Sequence, residues 1–138
     1  MSTPKPTENN QSALDESSKS FICHNPESFQ GHVVGDGHCV SFIKLCSNAP
    51  NTINWRPGAQ VLSLEKLEYG SIIATFKDGI YPNQTGYHAA IYISHDDKGI
   101  WVWDQWIGTP VHKRLIRFRN DKAPASNTAQ DYSVVRLK

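Results

Sequence analysis

A cysteine at a helix start, a histidine opening a strand and a carboxylate set among apolar residues are the chemically capable parts of this chain. Cys39 comes just after Gly35-Asp36-Gly37, with His38 between, and sits in the first turn of the helical run HCVSFIKLCS, residues 38–47. Backbone N–H groups in a first helical turn lack intrahelical acceptors and carry the positive end of the helix dipole. Both effects favour thiolate over thiol, and the thiolate is the nucleophile. His88 opens YHAAIYI just after Gly86, with the small Ala89 and Ala90 leaving room for close approach. In IWVWDQW, alternation puts Ile100, Val102, Asp104 and Trp106 on one strand face, and Trp101, Trp103 and Gln105 on the other. A carboxylate that follows Ile and Val on one face needs a partner there. Nucleophile, base and orienting group together describe covalent acyl transfer by a Cys–His–Asp triad, with Gln105 the alternative third member.

Taken singly, each of these residues has a plainer role. Cysteine packs as a small hydrophobe, histidine as a satisfied core residue, and the tryptophans as core or as the floor of a groove. A non-catalytic binding module is therefore the rival reading. It has no use for a thiol at a helix start facing a histidine.

The elements that must position these groups are legible in outline. Residues 21–37 read as an irregular lead-in, and Asn48 with Pro50 stops the helix. Residues 50–60 read as a loop, and 61–70 as either a short helical turn or an extended stretch. From residue 71 the pattern is β: 71–76, 87–93, 100–106, 114–119 and 132–137. A hairpin turning at 96–99 brings His88 within a few positions of Asp104. One helix followed by about five antiparallel strands is an α+β fold.

The whole chain of 138 residues carries 14 Lys plus Arg against 13 Asp plus Glu, a net charge of +1. That balance argues against nucleic-acid or anionic-membrane binding, and no apolar run is long enough for insertion into a bilayer. Residues 1–20 read as a disordered polar tail without the apolar core of a secretory signal. Residues 21–138 then form the single domain. Of the three cysteines, Cys39 and Cys46 lie about 10 Å apart along one helix, too far to pair. Cys23 and Cys46 pair if the compartment is oxidising, leaving Cys39 as the reactive thiol; in a reducing one all three stay free. The histidines show no zinc-ligand spacing, so neither a metal nor another cofactor is expected.

The run G-D-G-H-C-V, W-R-P-G, G-x-I-I-A-T-F, T-G-Y-H-A-A-I-Y-I and I-W-V-W-D-Q-W resembles the papain-like amidases of bacterial cell walls, the NlpC/P60 and CHAP domains. Within that group it is most similar to the second group of type VI secretion amidase effectors. The resemblance spans roughly residues 30–120 and implies a papain-like α+β fold with Cys39, His88 and Asp104 as catalytic residues. Gln105, Trp106 and His38 are expected to contact substrate. It further implies a peptidoglycan hydrolase cutting stem-peptide cross-links, the D-alanyl–diaminopimelate bond first and the γ-D-glutamyl–diaminopimelate bond as the alternative. Export without a cleavable signal, action in a target cell's periplasm and inhibition by a cognate immunity protein complete what it implies. His38 and Val40 replace the usual Asp before and Ser after the cysteine, and Trp106 replaces a CHAP-like Asn.

Overall fold

A computed structural model describes residues 21–137; the expected tail, 1–20, lies outside the described residues. The helix α1 (Cys39–Ser47) buries Phe42 and Ile43 and ends on Asn48 in the left-handed region, φ 64°. Six strands follow: β1 (Trp55–Gln60), β2 (Ile72–Thr75), β3 (Ala89–Asp96), β4 (Gly99–Trp106), β5 (Thr109–Arg117) and β6 (Tyr132–Leu137). They form one antiparallel sheet in the order β1-β6-β2-β3-β4-β5.

The fold is the expected α+β arrangement, with one strand more than the sequence pattern indicated. The extra strand, β1, lies in the segment read as a loop because it contains Pro57 and Gly58. It is an edge strand, where a missing N–H costs no ladder bond, and its register shifts between Pro57 and Gln60. The other edge, β5, starts at Thr109, five residues before the expected start, and admits Pro110 on the same grounds. The stretch 61–70 opens with a 3-10 turn, Val61–Ser63, and then continues as irregular chain to a turn at Tyr69 and Gly70.

Both faces of the sheet are covered. On one side Phe42 and Ile43 of α1 pack against Ile72, Ile91, Trp103 and Trp55. On the other, Ile73, Tyr92, Val102, Tyr132 and Val134 pack beneath Val61 and Ala129 from two 3-10 turns. Burying such side chains stabilises the fold by about 1.5–3 kcal/mol each. Two-sided burial also explains the unbroken apolar run of β2. The β3–β4 hairpin turns through Asp97 and Lys98, with Asp96 facing Gly99. A bulge between Tyr92 and Ser94 then shifts the register by one residue, so Ile91 faces Trp103. That shift brings the start of β3 opposite the end of β4. Cys23 is disulfide-bonded to Cys46, with Cα atoms 5.1 Å apart, which ties the lead-in segment to the last turn of α1.

Candidate active site

Two devices fix the start of α1. The segment before it turns back on the helix through Gly35 at φ +59°, where a Cβ would stand 2.8 Å from that of Ser41. Asp36 Oδ1 then accepts the His38 backbone N–H at 3.0 Å and the Ser41 hydroxyl. These bonds hold the Asp36 carboxyl below its ordinary range, the one from Ser41 first. The second device is Gln105. It is wholly buried on the α1 side of β4, where its Oε1 accepts Val34 N–H at 2.9 Å. Its Nε2 donates to the carbonyls of Val34 and His38, each at 2.8 Å. The expectation that Gln105 contacts substrate is thus corrected. Its amide is committed to the backbone behind Cys39, and it does not line the cleft.

Alternation along β4 puts Asp104 on the opposite face, wholly buried beside Val102. His88 stands one residue ahead of β3, and its Nε2 lies 2.8 Å from Asp104 Oδ2. An ionised carboxylate only accepts, so Nε2 carries the proton and Nδ1 is left for the other side. That other side holds Cys39, the only free cysteine among the described residues. The thiol interacts with the His88 ring, and Tyr81 Oη lies 3.6 Å from its Sγ.

The electrostatics follow from these contacts. Burial alone would raise the Cys39 pKa, but the His88 bond and charge, the Tyr81 hydroxyl and the Ala89 backbone bring it below the usual thiol range. Burial would lower His88, yet its bonds to Asp104 and Cys39 raise it to about 9. Below about pH 9 His88 is therefore imidazolium, and its charge favours the thiolate form of Cys39. Asp104, despite burial, is held below its normal range by His88 and by Arg114. Arg114 donates to the same Oδ2 from Nη2 at 2.7 Å and Nε at 3.0 Å. Tyr81 is pushed upward by burial and by the Cys39 charge, so its hydroxyl stays protonated.

A cleft of about 590 Å³ opens over the thiol, with Cys39, His88, Tyr81, Tyr87, Trp106 and His38 in its walls. The expected substrate contacts Trp106 and His38 thus lie in the cleft beside Cys39 and His88. Trp55 and Trp103 are core residues, and Trp101 faces solvent under the Lys113 ammonium. Arg114, Tyr81 and His112 went unread in the sequence. The Nε2 of His112 lies 3.8 Å from Asp104 Oδ1. Extending the fifth strand back to Thr109 would have set His112 opposite Asp104 and Arg114 opposite Val102. Tyr81 comes from a loop without periodicity. Among the described residues no cluster of three His, Cys, Asp or Glu could hold a metal.

Residues 12–135 match the family model described as domesticated amidase effector 2. The chain is 40% identical to a type VI secretion amidase effector 2 protein of Salmonella typhi over 130 residues, 83% of this chain and 98% of that protein. It is 39% identical to domesticated amidase effector 2 of Ixodes scapularis, covering 81% of this chain and 82% of that one. The solved structure of a type 6 secretion amidase effector 2 superposes with a TM-score of 0.75 at 35% identity, over 86% of this chain and 95% of the other.

Proposed function

This chain belongs to the domesticated amidase effector 2 family, and from that premise we propose that it is a cysteine amidase of peptidoglycan. It cleaves stem-peptide cross-links at the D-alanyl–diaminopimelate bond, with Cys39 as nucleophile, His88 as acid and base, and Asp104 as the group that orients His88. The supporting observation is the buried line from Cys39 through the His88 ring to Asp104 Oδ2 at 2.8 Å. It pairs a depressed thiol with an imidazole raised to about 9.

The Cys39 thiolate attacks the amide carbonyl, and the C=O π electrons move onto oxygen to give a tetrahedral oxyanion. The Cys39 N–H, at the helix start, and the protonated Tyr81 hydroxyl are the donors near that oxyanion. His88 gives its Nδ1 proton to the departing amine as the C–N bond breaks, leaving a thioester on Cys39. Water, deprotonated by His88, attacks that thioester and regenerates the thiolate–imidazolium pair. As an antibacterial effector the protein acts on a target cell's wall in the periplasm, and its producer is protected by an immunity protein that covers the cleft. Mass spectrometry of muropeptides from digested sacculi tests the reading. Cross-linked dimers should fall to monomers with a new D-alanyl carboxylate. Products cut at the γ-D-glutamyl bond would move the assignment to the other amide, and cleaved glycan would end it.

A further inference from the structure

A second cavity, about 320 Å³, lies beyond the His88 ring and is joined to the nucleophile cleft along Tyr87, His88 and Trp106. Its remaining lining is Arg114, Ser126 and Asn127, with no carboxylate among them. The 3-10 turn Ala125–Asn127 is pinned beside the histidine, because Ser126 N–H donates to Gly86 O at 3.0 Å, two residues before His88. Tyr132 Oη donates to Ser126 O at 2.8 Å from beneath.

Arg114, Ser126 and Asn127 each bring a hydrogen-bond donor to it. Arg114 spends Nε and Nη2 on Asp104, while Nη1 makes its longest bond, 3.3 Å, to Asn127 Oδ1. Among the described residues Ser126 Oγ and Asn127 Nδ2 make no hydrogen bond. Asn127 is exposed, so its amide can rotate and yield Nη1 to a better acceptor. One cation and two neutral donors, flanked by an indole, suit a carboxylate carried on a short aliphatic stem.

Position says which carboxylate. His88 protonates the departing amine, so the leaving half of the substrate must extend past the His88 ring, into this cavity. We propose that Arg114, Ser126 and Asn127 form a subsite for the free carboxylate on the carbon that bears the leaving amine. The inference rests on the cysteine amidase reading above and deepens it, since it separates the two candidate bonds. In a D-alanyl–diaminopimelate cross-link the leaving amine belongs to a diaminopimelate centre whose carboxyl is free. At the γ-D-glutamyl bond the corresponding carboxyl is tied up in the next amide. A site built for a free carboxylate accepts the first and rejects the second.

Two synthetic cross-linked peptides test this, identical except that the carboxyl next to the scissile nitrogen is free in one and a primary amide in the other. The wild-type protein should favour the free acid in kcat/KM by about 10- to 100-fold, the range that charge-assisted hydrogen bonds supply. Asn127→Asp places an anion in the subsite and should bring the ratio to parity or below. Ser126→Ala should lower it a fewfold. The readout is a ratio within each variant, so a general loss of activity cancels. Equal rates for the wild type, or a ratio unmoved by Asn127→Asp, would overturn the subsite and leave the amidase reading standing. Cleavage of neither peptide at this bond by the wild type would overturn both.

Discussion

Gln105 offers a quantitative test of how Cys39 is held. Its side chain is fully buried and satisfies Val34 N–H, Val34 O and His38 O in three bonds of 2.8–2.9 Å. Gln105→Ala leaves two or three buried backbone groups without partners, at about 1–3 kcal/mol each. His38 O keeps its bond from Ser41 N–H, and water entering the vacated space satisfies part of the rest. The net loss should be about 3 kcal/mol, a fall in Tm of roughly 10–15 °C for a domain of this size. His38 is the residue before Cys39, and a shift of about 1 Å in a reacting group can cost 10²-fold in rate. Gln105→Glu separates bonding from packing. Ionised, it faces two carbonyl oxygens, so burial and repulsion raise its folded pKa. The raised carboxyl destabilises progressively as pH rises above its unfolded value near 4.3, until it ionises in the folded state. Thermal melts and peptide-release kinetics between pH 5 and 8 read both effects. Melting within a degree of wild type and unchanged kcat for Gln105→Ala would refute the bracing role.

Asp104→Asn should lower kcat by about 10³- to 10⁴-fold with little change in KM, because Asp104 lies behind His88 and out of the cleft; steady-state kinetics on a cross-linked peptide measures the split. For the wild type, kcat/KM should fall on the alkaline side near pH 9 as the His88 imidazolium is lost. The stability that His88 contributes has the same sign. Its folded pKa is raised, so the contribution is complete below about 6.5 and disappears as pH rises through about 9, which melts across that range would register. In Asp104→Asn the strongest raising influence on His88 is gone, and the alkaline limb should move to lower pH. Reducing the Cys23–Cys46 bond, which closes a loop across a sequence separation of 23, should cost about 3 kcal/mol. Melts with and without dithiothreitol test that loss, and no shift would contradict it.

How much could be read from sequence depended on the distance over which each residue acts. Cys39 and the helix start followed from local signals, and those signals survive in the fold. The placement of His88 near Asp104 followed from hairpin register and two-residue alternation, which a single bulge shifted by only one position. Edge strands were less legible, because an edge tolerates prolines such as Pro57 and Pro110 that a central strand would exclude. Missing the first half of β5 also hid its register against β4, which sets Arg114 beside Asp104, where it shares Oδ2 with His88. Gln105 was placed on the correct face, but burial decided its role, and burial was not visible in an alternation pattern. Tyr81 reaches Cys39 across 42 residues of sequence from a loop, where no periodicity could announce it.

The central claim is that Cys39 carries the acyl group during turnover. Acid-quenched intact-mass spectrometry of the protein mixed with excess cross-linked peptide, followed by peptide mapping, tests it most directly. The expected result is an adduct whose mass equals the donor stem peptide through its D-alanyl carbonyl, located on Cys39. The same adduct on another side chain, or rapid turnover with Cys39 blocked by alkylation, would contradict it.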